Sequence, residues 1–249
     1  AMAGLTLIIV VPGNSYFKFL LNEFAVHIML CFMLSAIVFL VYDRNYLLFT
    51  ALICAASMAL HLKLNTQVRL QFAKQEMLYS FGTAVFNLEK IELKDQDDVI
   101  REVLKRNPEI LIFSSLNPVW TEVLSEKLSN SYNNYRLLER IDKFGLGLYS
   151  RYPIEKNSEI ISERKPIYIQ EIKIPFLRKR IRLISSNFTA PNNKKLLNDF
   201  YLSIQSLENY LSTTEKIPTM ITGNFGVAQW NNRLSTLRKN QNYFDSRRS

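Results

Sequence analysis

Histidine and cysteine are the side chains most often used for proton transfer, nucleophilic attack and metal ligation near neutral pH. In this chain both types are confined to one end. His27, His61, Cys31 and Cys54 fall within the first 65 residues, and none follows. From residue 66 onward any chemistry must use carboxylates, amides, hydroxyls and amines. That excludes a thiolate zinc site, a disulfide framework and a histidine proton carrier from this part. No glycine-rich phosphate loop is present, which removes P-loop nucleotide binding and the dinucleotide fingerprint. The stretch that reads most like a site is "ITGNFGVAQW", residues 221–230, a buried strand turning into a polar loop.

A second group stands out by charge. Arg178, Lys179, Arg180 and Arg182 crowd into "FLRKRIRL", residues 176–183, between two expected strands. Such a cluster can contact an anionic surface, or it can be an ordinary solvated turn, and both readings stay open. Nucleic acid is disfavoured, because the net charge is a modest +9 and the other basic residues are scattered.

These groups must be positioned by two unlike regions. Residues 1–65 carry only Lys18, Arg44 and Lys63 against Glu23 and Asp43, whereas the rest holds the other 28 basic and 20 acidic residues. We read 1–65 as a membrane anchor, 66–79 as a linker and 80–249 as one soluble domain. Phe19 to Tyr42 and Tyr46 to Leu62 are apolar runs of spanning length separated by Asp43-Arg44-Asn45. They predict a transmembrane hairpin with helices at about 17–42 and 46–64. The competing reading, two buried core helices, lacks the expected polar face. The apolar stub 1–12 is the tail of an earlier spanning helix or an interfacial segment. Glu23 and His27, four apart, share a helix face as a contact inside the membrane or a polar patch near the headgroups.

The soluble part alternates short apolar runs with amphipathic segments. Strands are expected at Thr83–Leu88, Glu109–Phe113, Tyr135–Glu139, Gly145–Tyr149, Pro166–Ile174, Ile181–Ser186 and Pro218–Thr222. Helices are expected at Asp98–Arg106, Val119–Leu128, along the Leu196–Leu211 stripe, and at Asn231–Arg238.

Three segments, "FGLGLYSRYPIEK" at 144–156, "RLISSNFTAP" at 182–191 and "ITGNFGVAQW" at 221–230, resemble the endonuclease/exonuclease/phosphatase superfamily in order and spacing. The resemblance covers 80–249. It implies an α+β fold, the four-layered αββα sandwich, preceded here by the transmembrane helical hairpin. The superfamily includes metal-dependent nucleases and phospholipid or inositol phosphatases.

Laid over this chain, the family's first-strand asparagine matches Asn87. Its metal-binding glutamate matches Ser115, its mid-domain histidine Asn187, and the aspartate and asparagine of its "GDFN" loop Asn224 and Gly226. The family's closing aspartate–histidine segment has no counterpart before Ser249, so a C-terminally truncated domain is expected. Neutral side chains at these positions cannot hold a hard divalent cation or carry a proton, which implies a pseudoenzyme with no metal and no cofactor. Glu89, Asp142 and Asp245 are the carboxylates able to approach the same place.

The expectation is then an accessory or structural subunit of a membrane-protein complex, with other membrane subunits as partners. The alternatives are a membrane-anchored module that binds anionic lipid or phosphate groups without hydrolysis, and a residual metal-dependent phosphodiesterase. The resemblance to bacterial members with spanning helices places the chain in a bacterial inner membrane. Lys18, Lys63, Arg69 and Lys74 flank the hairpin against Arg44 in its turn, which favours a cytoplasmic domain. A three-helix anchor would instead put the domain outside the cytoplasm, and that placement is preferred.

Overall fold

The computed structural model describes residues 1–11, 13, 15–66, 81–162, 165–177, 179–241 and 243. The chain forms two compact units. One joins the N-terminal helices to residues 191–198 and to the segment from Val227 onward; the other runs to Ala190 and resumes over Asp199–Gly226.

In the first unit α1 (Met2–Val10), α2 (Tyr16–Glu23), α3 (Ala25–Val41) and α4 (Asn45–Asn65) precede the distant α8 (Asn232–Gln241). The buried face of α4 is Ala51, Cys54, Ala55, Met58 and His61, a stripe at helical spacing. It packs with Ala25 and Phe32 of α3 and Ile9 of α1. Small residues at this seam let the helix backbones approach closely. Outside the seam the helices stay apolar: Leu34, Ile37, Leu40, Val41, Phe49 and Ile53 are all exposed.

The expected single helix over 17–42 is broken. The chain bends by 64° at Phe24, between α2 and α3. Among the described residues α4 is long and apolar enough to cross a membrane by itself, and α2 with α3 only as a bent pair. A kink of this size requires an intrusion into the helical ladder. Here the Asn22 carbonyl, which a straight helix would give to the N–H of Val26, accepts the indole N–H of Trp230 at 2.6 Å. Glu23 and His27 consequently lie on different helices. The Glu23 carboxylate accepts the Ala228 N–H at 2.7 Å, and the His27 ring meets Phe24 edge-on.

The second unit holds two four-stranded sheets, ordered β1-β2-β4-β3 and β5-β6-β7-β8. The strands are β1 (Thr83–Asn87), β2 (Ile110–Ser114), β3 (Asn134–Leu138), β4 (Leu146–Ser150), β5 (Ile154–Ser162), β6 (Lys165–Ile174), β7 (Lys179–Asn187) and β8 (Thr219–Asn224). Two-residue alternation assigns the faces. Ile110 and Ile112 of β2 meet Ile181 and Leu183 of β7 between the sheets. Leu111 and Phe113 turn the other way, onto α5 (Gln96–Arg106) and α6 (Pro118–Leu128). Helix α7 (Lys194–Thr213) covers the outer face of the second sheet, where Phe200 meets Phe188 and Tyr210 lies under Arg182. Four layers result, as the resemblance implied.

Strand β5 was not expected. Glu155, Lys156, Asn157, Ser158 and Glu159 are exposed on this edge strand, so it lacks the apolar alternation that marks a strand in sequence. Charges of this kind also protect a sheet edge from pairing with other chains. The proposed linker, from residue 67 on, lies outside the described residues.

Candidate functional site

At one end of the inter-sheet core the inward-facing positions change character. Following Ile110 and Ile112, β2 turns Ser114 inward; following Ile181 and Leu183, β7 turns Ser185 and Asn187 inward; following Met220, β8 turns Thr222 inward. These ends border a cavity of about 10 Å³ lined by Ser114, Ser185, Asn187 and Thr222 and by the apolar Val85, Ile112, Phe144 and Leu146, with Tyr168 beside them. That volume is on the scale of a single water molecule. The Ser185 hydroxyl and the Asn187 Oδ1 are buried beside it without a hydrogen-bond partner among the described residues.

Above the cavity three of the five expected positions are joined directly. Asn187 Nδ2 donates to Ser115 Oγ at 2.9 Å and to the Lys143 carbonyl at 2.8 Å. Ser115 Oγ lies 3.3 Å from Asn87 Oδ1 and 3.2 Å from the same carbonyl, so its one proton serves one of them at a time. Ser115 occupies this place with φ +62°, a left-handed conformation that costs a non-glycine residue roughly 1–2 kcal/mol. Asn87 Oδ1 also accepts the Glu89 N–H at 3.1 Å. Asn224 pairs with Asn187 in the β7–β8 register, but its side chain turns back to accept the Gly226 N–H at 3.0 Å. The Lys143 carbonyl, the hub of the network, left no signal in the sequence, because backbone groups carry none.

Gly226, the other matched position of that loop, holds a left-handed backbone. It has φ +64°, and a Cβ there would stand 2.7 Å from the Ala190 nitrogen. An asparagine cannot replace it without displacing backbone. Trp230, at the end of the 221–230 stretch, packs in the helical unit.

Two carboxylates flank the network. Glu89 stands 3.8 Å from the Lys143 ammonium. Asp142 is gripped by Arg140 at 2.9 and 2.8 Å and accepts the Phe144 N–H at 3.0 Å. The guanidinium hydrogen bonds hold its carboxyl below the usual carboxylate range, opposed by partial burial. Asp245 lies outside the described residues.

Among the described residues no three His, Cys, Asp or Glu side chains come together as a metal cluster. The donors that do converge, Asn87, Ser115 and Asn187, are neutral and bonded to one another, which does not fit a divalent cation.

The basic segment is also divided. Arg182 is 3% exposed and faces Glu171 at 3.3 Å, with its other nitrogen on Thr214 Oγ1 and the Glu215 carbonyl. Arg180 bridges Glu171 and Glu215 at 3.0 and 3.2 Å. Lys179 is exposed, and Arg178 lies outside the described residues.

Solved structures carry the same fold. SmcL matches with a TM-score of 0.56 and 14% identity over 66% of this chain and 70% of that one. Sphingomyelinase C from Streptomyces griseocarneus matches at 0.53 and 10%, over 68% and 72%. D. rerio TDP2, complexed with a single-strand DNA product, matches at 0.52 and 11%, over 67% and 66%. The chain spans 63% of the truncated Caenorhabditis elegans TDP2 structure. No family model matches the sequence. No curated protein matches it either. The chain therefore has an endonuclease/exonuclease/phosphatase-like fold, shared with these solved structures.

This corrects the expectation of a pseudoenzyme. The folds that the chain matches are those of hydrolases, and nothing here supports inactivity. The physical reason is that neutral residues at the five matched positions remove one arrangement of charge, not every arrangement. Glu89 and Lys143 stand beside the network with ionisable groups of their own.

Proposed function

We propose that the protein is a membrane-anchored member of this fold that works as an accessory subunit of a membrane assembly. The observation that carries the reading is the apolar sheath of α3 and α4. Over the most apolar window of α4 only 28% is buried within the chain, whereas a core helix of a soluble protein would be mostly covered. At 21 residues α4 is about 31 Å long, close to the hydrocarbon thickness of a bilayer. A partner has room on the folded unit as well. Strands β1 and β8 end their sheets, and Val85 of β1 is 48% exposed. Helix α1 packs along α4 as a third helix of the anchor would, which favours the extracytoplasmic placement.

Native purification of the full chain in mild detergent tests the subunit role. A stoichiometric membrane partner supports it; a monomer under every mild extraction condition sinks it. Protease added outside intact cells tests the side, since an extracytoplasmic domain is cut and a cytoplasmic one is spared.

A second reading, phosphoester hydrolysis, is favoured by the position of Glu89 beside the Asn87–Ser115–Asn187 network. Purified chain assayed on a phosphodiester, alongside Glu89→Gln, tests it. Turnover that falls at least tenfold in the variant supports the reading, and turnover equal in both assigns the activity to a contaminant.

A further inference from the structure

At the end of the second sheet away from the Asn87–Ser115–Asn187 network, the outer face changes its charge pairing. Glu171 of β6 stands opposite Arg182 of β7 in register, and the two are paired at 3.3 Å. Two residues along, Lys173 stands opposite Arg180 on the same face, cation against cation. Like charges directly opposite one another weaken a sheet, so stability alone gives no reason for this pair. Glu155 meets Lys173 at 3.5 Å, and Glu215 meets Arg180 at 3.2 Å.

These strand ends, with the residues that follow α7, border an open cleft of about 520 Å³. That falls within the roughly 300–1,000 Å³ of small-molecule sites. Lys179 and Lys216 also line it, both exposed and, among the described residues, without an ion pair. With Lys156 and Arg182 on Glu171, and Lys173 and Arg180, six cations gather here against Glu155, Glu171 and Glu215. The carbonyl end of a helix repels anions. At the end of α7, however, Arg182 already donates to Thr214 Oγ1 and the Glu215 carbonyl. The exposed lysines are not used for that purpose.

We propose that this cleft binds a phosphate monoester group through Lys173, Lys179 and Lys216, with Arg180 as a fourth cation. Such a group carries about −1.5 to −2 charges near pH 7 and three strong acceptor oxygens. It therefore matches a surplus of more than one positive charge. Its oxygens accept from several directions, which suits ammonium groups arriving from β6, from β7 and from the segment after α7. A carboxylate, with two oxygens in one plane, would serve fewer of them. Lysine holds phosphate as a point charge on a flexible stem, so the three amines need no rigid frame. The cleft is separate from the network, because β7 runs nine residues from Lys179 to Asn187, about 26 Å. It also differs from the linear basic segment: Arg182 is taken up by internal contacts, and Lys173 and Lys216 come from outside that segment. The same phosphate group can arrive on a soluble metabolite or on a lipid headgroup.

The test uses the full chain in two preparations. In neutral detergent it is titrated with glycerol 3-phosphate by calorimetry. In nanodiscs of phosphatidylcholine and phosphatidic acid, the lipids it retains are counted by native mass spectrometry. Stoichiometric binding of glycerol 3-phosphate, weakened by salt, supports the site with a soluble ligand. Enrichment of phosphatidic acid over its bulk share, without that binding, supports it with a lipid headgroup. Either signal should fall at least about tenfold in Lys173→Gln/Lys179→Gln/Lys216→Gln, which removes three charges. The charge-keeping Lys179→Arg/Lys216→Arg should retain most of it, and so should Lys143→Gln at the network. A signal lost with Lys143→Gln instead belongs to the network and overturns the proposal. So does the absence of binding in both preparations, or undiminished binding by the triple variant. A zero-length cross-link from Lys179 or Lys216 to a carboxylate of the chain other than Glu155 and Glu215 overturns it as well, since the chain then fills its own cleft.

Discussion

The Trp230 indole donates to the Asn22 carbonyl at 2.6 Å across 208 residues of sequence. The helix between Tyr16 and Val41 breaks at the next turn. Because the indole occupies the acceptor that a straight helix would use, we expect Trp230→Phe together with Glu23→Gln to straighten it. Spin labels at positions 16 and 40 should then report a longer distance by pulsed electron resonance. An unchanged distance would assign the bend to another cause.

Trp230 also shows what could be read from the sequence and what could not. The apolar runs of the helices, the buried strands β2, β4 and β7, the half-buried β8, and the amphipathic α5 and α7 declare themselves by their apolar patterns. Asn87, Ser115 and Asn187, which converge at the ends of their strands, were singled out by the family resemblance and not by period. The break at Phe24 was hidden, because its cause is a side chain remote in sequence rather than a proline or glycine. Strand β5 was hidden because it is held by backbone pairing while its side chains are charged. The pairing of Arg180 and Arg182 with Glu171 was hidden for a related reason. Composition shows charges, whereas their neutralisation depends on register across β6 and β7.

Gly226 offers a test of the loop that follows β8. With φ +64° and the Ala190 backbone within 2.7 Å of an added Cβ, Gly226→Ala should cost more than about 1 kcal/mol. Thermal unfolding should show a lower midpoint. An unchanged midpoint would mean that the loop can move away from Ala190.

The Asn187 network should be costly to interrupt. Asn187→Ala leaves Ser115 Oγ and the Lys143 carbonyl without their amide donor in a buried place, for a loss of about 1–3 kcal/mol. Denaturant unfolding of the full chain measures it, with the exposed Lys179→Ala as a control expected near zero.

Asp142 gives a pH dependence of definite sign. Its folded carboxyl is held below the ordinary range by Arg140, so its contribution is fully present above the unfolded carboxylate pKa. It is lost as pH falls through the lowered folded value. Protection of the 140–145 amides, taken relative to the intrinsic exchange rate at each pH, should therefore fall on acidification, and Asp142→Asn should show reduced protection already at neutral pH. A loop whose protection in the variant still tracks pH in the same way would refute the assignment.

Glu171 makes the sharpest prediction about stability. Its side chain is 6% exposed and stands 3.3 Å from Arg182, 3.0 Å from Arg180 and 3.6 Å from Lys156. Arg182, equally covered, lies under α7 and over the Tyr210 ring at 5.4 Å. Glu171→Ala would strand a buried guanidinium, and losses of about 3–5 kcal/mol are typical when one partner of a buried pair is removed. The double change Glu171→Leu/Arg182→Met removes both charges and keeps most of the volume, so it should recover much of that loss. It should not recover all of it. Arg182 also holds Thr214 and the Glu215 carbonyl, and those contacts fasten the end of α7 to the sheet. Chemical denaturation of the two variants and the wild type decides the matter. A double variant no more stable than Glu171→Ala would show that the hydrogen bonds of Arg182 to the end of α7, rather than its charge balance with Glu171, hold this face together.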